Sequence, residues 1–187
     1  MSTTSSQTRS FERTEAFSAD SKNVHVIIET PQGKRNKYKY DETHGLFILH
    51  QVLPVGLIFP FDFGYIPSTL GEDGNPLDVL VLLDEGAFPG CMVLSRLIGV
   101  IEAEQVKEGR TMRNDRLIAV AAISHHHYEV QSLDQLNESI VDEIEHFFIS
   151  FNSMKGRQFK PLRRANAERA KQLVHEGVAR FQQSGTS

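Results

Sequence analysis

Tryptophan is absent from the 187 residues, and cysteine occurs once, as Cys91. A single cysteine excludes a disulfide framework and a thiolate zinc site, and this chain is expected to work in the cytosol. No apolar run approaches the length of a membrane span, and the first residues carry no apolar signal core, so no membrane role is expected. A net charge of −4 leaves no basic face for nucleic acid. Three common motifs are missing as well. There is no Gly-x-x-x-x-Gly-Lys-[Ser/Thr] loop, no Gly-x-Ser-x-Gly elbow and no Gly-x-Gly-x-x-Gly fingerprint, which removes the sequence marks of P-loop, triad-hydrolase and dinucleotide chemistry.

What remains is an ordinary globular composition, 40% apolar and 24% charged, long enough for one core. Residues 1–21 are Ser/Thr-rich and read as a flexible lead-in with one short helix around 11–17. A single domain is expected over 22–182. Asn23–Thr30 is a β-branched strand, and Asn36–Asp41 alternates tyrosine and lysine before turning back through Leu46–Leu49 as a hairpin. Pro54 and Gly56 make Val52–Phe59 an edge or a bend. Strands follow at Asp78–Leu83, at Cys91–Ala103 with Gly99 as the kink, and at Leu117–Ile123, with Lys107–Asn114 as a charged loop.

The apolar period then changes from two to between three and four. Leu136, Ile140, Val141, Ile144, Phe147, Phe148 and Phe151 predict a helix over Asp134–Phe151, and Ala167, Ala170, Val174, Val178 and Phe181 predict another over Ala165–Phe181. Short strands followed by helices give an α+β class: a small β-barrel with flanking C-terminal helices.

The densest chemistry lies in Gly71-Glu72-Asp73-Gly74-Asn75-Pro76-Leu77-Asp78, which leads into a strand. Asp-Gly and Asn-Pro are ordinary turn formers, so the loop reads as an acidic turn. It also reads as a site for a hard divalent cation, because Mg²⁺ takes one or two carboxylates plus water and phosphate. Lys37 and Lys39 share one strand face, as a solvated surface or as a phosphate clamp. Glu29 ends a strand, as an active-site acid or a polar terminus. Asp115-Arg116 offers a carboxylate to a metal and a guanidinium to phosphate, or forms a surface ion pair. In His125-His126-His127 adjacent rings point to opposite faces, and no Cys or carboxylate spacing supports a metal there.

Taken together, Ile28-Glu29, Lys37-Tyr38, Phe59-Pro60 with Phe63-Gly64-Tyr65-Ile66, the acidic loop through Asp78-Val79-Leu80-Val81, Gly99-Val100-Ile101 and Leu117-Ile118-Ala119-Val120 resemble the family I soluble inorganic pyrophosphatases over about residues 23–160. The resemblance implies a five-stranded OB-like barrel, Mg²⁺-dependent hydrolysis of pyrophosphate to two phosphates, and a cytoplasmic homo-oligomer, commonly a hexamer. By position it implies metal binding at Asp73 and Asp78, substrate binding at Lys37 and Arg116, and catalysis by Glu29, Asp78 and the residue at position 75, while the residues themselves add Lys39 as a phosphate-binding cation and Asp115 as a carboxylate in reach of the metal.

Several positions depart from the family pattern. The middle acid of Asp-x-Asp-Pro-x-Asp is Asn75, and an amide cannot take a proton from the nucleophilic water. Lys39 stands in place of Glu, Gln51 in place of Arg, Gln105 and Asn114 near positions of metal-binding acids, and Arg116 in place of Lys. Phe63 and Phe151-Asn152 replace Tyr and Tyr-Lys. Lys155, Arg157 and Lys160 are candidates to supply the missing cations. These departures give the alternative its content: a catalytically impaired protein that binds metal and phosphate, or a hydrolase of another phosphoanhydride.

Overall fold

The computed structural model describes residues 14–41 and 43–185. Five strands close into a ring. β1 (Val24–Thr30) pairs antiparallel with β4 (Asp62–Ile66), and β4 with β5 (Leu77–Leu82). β5 runs parallel to β8 (Arg116–Ala121). The 16-residue β6 (Met92–Lys107) then pairs with β8 on one side and β1 on the other. This is the expected five-stranded barrel of the α+β class. The hairpin of β2 (Asn36–Asp41) and β3 (Leu46–Val52) forms a separate two-stranded sheet over its mouth.

Alternation along the strands builds two cores. Val26, Ile28, Ile66, Val79, Val81, Val100, Leu117 and Ala119 draw on all five ring strands and fill the ring. The alternate residues Leu80, Leu82, Ile118 and Val120 face α1 (Glu138–Ser153) and pack on its Ile144, Phe147, Phe148 and Phe151. β5 and β8 are therefore apolar on both faces. α2 (Ala167–Ser184) adds Ala170 and Val174 to the ring core.

Several elements differ from the expectations. The charged loop Lys107–Asn114 folds back as β7 (Arg110–Arg113), because Glu108 and Gly109 both take positive φ, 52° and 76°, as a two-residue hairpin turn requires. The chain between the helices is not a linker. It forms β9 (Gln158–Asn166), an edge strand on β6 whose Pro161 sits at a register shift. Both helices start later than expected, α1 after a 3₁₀ turn at Leu133–Gln135. Residues 14–17 are not helical: Ala16 is buried and Phe17 bridges to Val24. The remainder of the expected short helix, residues 11–13, lies outside the described residues.

Two glycines permit close backbone approach. Gly99 marks a register shift in β6, as expected of the kink. At Gly64 a Cβ would lie 2.1 Å from the Ile27 carbonyl oxygen on β1. Gly64→Ala must push β1 and β4 apart and should cost about 1–3 kcal/mol, the usual range for overpacking, read as a lower urea midpoint with unchanged slope.

Candidate active site

The acidic loop is held at both ends. Thr69 Oγ1 accepts from the Leu77 amide at 3.0 Å and donates to the Ile66 carbonyl at 2.6 Å. The Leu70 amide donates to the Gly177 carbonyl of α2, and Arg180 Nε donates back to the Leu70 carbonyl. Within the loop, the Gly71 amide reaches the Asn75 carbonyl at 2.7 Å, while Gly74 takes a φ of 78°. The Asn75 side-chain amide donates to Asp73 Oδ2 at 3.1 Å, and its backbone amide donates to Oδ1. Position 75 therefore orients Asp73 as a donor, where a second acid would repel it.

Asp78, the second residue of β5, forms an ion pair with Arg116, Nη1 to Oδ2 at 2.8 Å. Arg116 is buried, its guanidinium 4.6 Å from the Phe148 ring centre and 5.2 Å from that of Phe159. It also donates to the Asn114 side-chain oxygen, and the Asn114 amide in turn donates to Gln105 Oε1 at 2.6 Å.

Opposite this loop, Lys37 Nζ stands 4.3 Å from the Phe63 ring centre and 4.0 Å from Glu29 Oε2. Lys155 Nζ is 3.9 Å from the Phe151 ring centre. Phe59, Phe63, Phe147 and Phe151 form one packed set of rings, so the floor is aromatic and its cations stand on ring faces.

These residues enclose a cleft of about 670 Å³. Glu29, Lys37, Lys39, Asp73, Asn75, Asp78 and Arg116, seven of the eight candidates, line it together. The eighth, Asp115, does not. It lines a smaller cavity of about 230 Å³ on the other side of the loop, which Asp73 and Asp78 also border. Its Oδ1 already accepts from the Ala103 amide and from Arg113, both at 2.8 Å. The nearby Glu102 is buried among Arg113, Arg163 and Arg169. His50, Lys107 and Met112 line the cleft without having been singled out. Lys107 and Met112 reach it through the β6–β7 hairpin, for which the Glu108-Gly109 turn was the available signal.

Burial dominates the ionisation of the site. It pushes the Glu29 carboxyl up to about 7, against the opposing pull of Lys37. Burial also lowers Lys37, and lowers Lys155 to about 8 with help from Lys37 and Arg157. Among the described residues no group of three or more His, Cys, Asp or Glu is placed to hold a metal ion. Asp73 and Asp78 both line the cleft, and one or two protein carboxylates is the number a hydrated Mg²⁺ ordinarily takes. A cation there would also favour the ionised form of Glu29.

Unfolded Glu29 ionises near its ordinary value of 4.5 and the folded side chain near 7. Between these values the folded state holds a proton that the unfolded state has lost, so this residue's contribution to stability falls as pH rises. In metal-free buffer the unfolding midpoint of Glu29→Gln should gain on that of the unsubstituted protein from pH 4.5 to 7. A midpoint difference that stays constant, or moves in favour of the unsubstituted protein over this window, contradicts the burial account of Glu29.

The comparisons agree with this geometry. The family model described as inorganic pyrophosphatase matches residues 26–182. The inorganic pyrophosphatase of Halalkalibacterium halodurans is 35% identical over 158 residues, 84% of this chain and 94% of that one. The crystal structure of inorganic pyrophosphatase from Thermus thermophilus superposes with a TM-score of 0.83 at 32% identity, covering 92% of this chain and 98% of the other. That of Helicobacter pylori gives 0.81 at 30% identity, covering 91% and 99%. With a ring of five strands, an acidic loop facing buried lysine and arginine, and a family match over most of its length, the chain belongs to the inorganic pyrophosphatase family.

Proposed function

We propose that this protein hydrolyses inorganic pyrophosphate to two phosphates, with Mg²⁺ as the metal. One observation carries the reading: Asp73 and Asp78 share a single cleft with Lys37, Lys39 and Arg116. Family membership implies a metal-dependent enzyme, and the two loop carboxylates suit a hydrated Mg²⁺. When bound, the metal supplies Lewis-acid stabilisation of phosphoryl charge and a more acidic water.

This chain's own residues bind and orient the substrate. Lys37 and Lys39 take one phosphate and Arg116 the other, while the phenyl floor below them excludes water and strengthens each contact. Water adds to one phosphorus, the bridging P–O bond breaks, and the leaving phosphate carries away the electron pair. Glu29, poised near neutrality, holds the proton released at its carboxyl oxygen, a role that Asn75 cannot fill. Asn75 keeps Asp73 aimed at the metal, and Asp78 serves both the metal and Arg116. Asp115 contributes from behind the loop by fixing Arg113.

The catalytic unit in this reading is the single domain over 22–182. Among the described residues, no helix is long and apolar enough to cross a membrane. The one half-buried cysteine is in keeping with a cytoplasmic setting. Exposed Phe88, Met92 and Ile123 support a homo-oligomer, with a hexamer as the expected state.

Phosphate release from Mg-pyrophosphate tests the reading. Asp78→Ala should lower turnover roughly a hundredfold or more, since it removes a metal ligand and leaves Arg116 unpaired. A turnover unchanged by that substitution removes the assignment. Asn75→Asp should raise the metal-dependent rate, because it supplies both a proton acceptor and a further charge for the metal. An unchanged or lower rate would leave Glu29 as the base and give position 75 only its role as the donor that orients Asp73.

A further inference from the structure

The cleft carries an excess of positive charge that the chain as a whole does not. Lys37, Lys39, Lys107, Arg116, Lys155 and Arg157 line it against only Glu29, Asp73 and Asp78, in a protein of net charge −4. Among the described residues, Lys39, Lys107, Lys155 and Arg157 have no carboxylate within 4.0 Å. Their neighbours register the resulting field. After burial, the causes that lower His50 are Lys37, Lys39 and Lys155. Lys155 is likewise lowered by Lys37 and Arg157.

The far wall, which Gln105 and Asn114 form, has no carboxylate of its own. The Asn114 amide is spent on Gln105 and its oxygen on Arg116, a closed set of neutral dipoles. Phosphoryl-transfer sites normally neutralise their substrate with bridging metal ions. Here much of that positive charge is already built into the side chains, on stems that stand over phenyl rings.

We propose that the cleft binds pyrophosphate as the free, metal-free polyanion, with Lys39, Lys155 and Arg157 supplying the neutralisation that bridging cations otherwise provide. The inference rests on reading this cleft as the pyrophosphate site. It separates two tasks: side chains hold the substrate, and the metal at Asp73 and Asp78 serves only the chemical step.

The test is titration calorimetry of the whole chain with imidodiphosphate, a P–N–P analogue of pyrophosphate, in buffer containing EDTA. The expected result is saturable one-to-one binding that changes less than tenfold when excess Mg²⁺ replaces EDTA. The double variant Lys155→Ala/Arg157→Ala should bind at least tenfold more weakly in EDTA. Lys39→Glu, which reverses one charge on exposed β2, should make binding depend on Mg²⁺. Circular dichroism checks that each variant is folded.

A flat titration in EDTA that becomes saturable with Mg²⁺ overturns the proposal, as does a double variant that binds as tightly as the parent. Phosphate release measured alongside decides the hydrolysis reading separately. Metal-free binding without Mg²⁺-dependent turnover upholds this inference and removes that reading. Turnover with a flat EDTA titration does the reverse.

Discussion

The side chain on which the cleft depends is Arg116. It leaves the first residue of β8 and is almost fully buried, where an unpaired guanidinium would be very costly. Its compensation comes from four parts of the chain at once. Asp78 of β5 pairs with it, Asn114 accepts from it, and Phe148 of α1 and Phe159 of β9 stack against it. Satisfying this one cation therefore fixes the end of the acidic loop relative to the helix and the edge strand. A lysine in its place would keep the charge and lose the planar stack and the divergent donors.

The second constraint is the phenyl floor. Phe63 and Phe151 offer faces and no hydroxyls, so they attract Lys37 and Lys155 without taking a hydrogen bond from either, and Lys37 has Glu29 beside it as well. The same burial that lowers both lysines raises Glu29. A single low-dielectric environment thus strengthens the field of the two cations and brings a carboxyl near neutrality, where it exchanges protons readily. Positive charge gathers on the β2 and α1 side, and the carboxylates of Asp73 and Asp78 stay on the loop.

Much of this was legible in the sequence wherever side chains alternate or recur at helical spacing. Four of the five ring strands, the β2–β3 hairpin and α1 follow from apolar period and turn residues, and seven of the eight candidate site residues meet in one cleft; β4 lies in an aromatic stretch without a strand's alternation and shows only through its pairing with β1 and β5. The rest was hidden for specific reasons. β9 is mostly exposed and polar, apart from Phe159, and is held by backbone pairing to β6, which leaves no periodic trace. β7 was disguised by its charge, though Glu108-Gly109 marked its turn. Asp115 lies next to Arg116 in sequence, but neighbours at the start of a strand point to opposite sides, so only one of the pair enters the cleft. The closed amide pair of Gln105 and Asn114 depends on β6 meeting the end of β7, a contact that spacing alone does not specify.

The central claim is a division of labour, with carboxylates of the loop holding metal and cations of the opposite wall holding phosphate. The most direct measurement is a crystal structure with Mn²⁺ and imidodiphosphate, locating the metal by its anomalous signal. The account predicts anomalous peaks only against Asp73 and Asp78, with phosphate oxygens on Lys39, Lys155 and Arg157. Metal bound at Gln105 and Asn114 with their hydrogen bond broken, or phosphate lying outside the cleft, would contradict it.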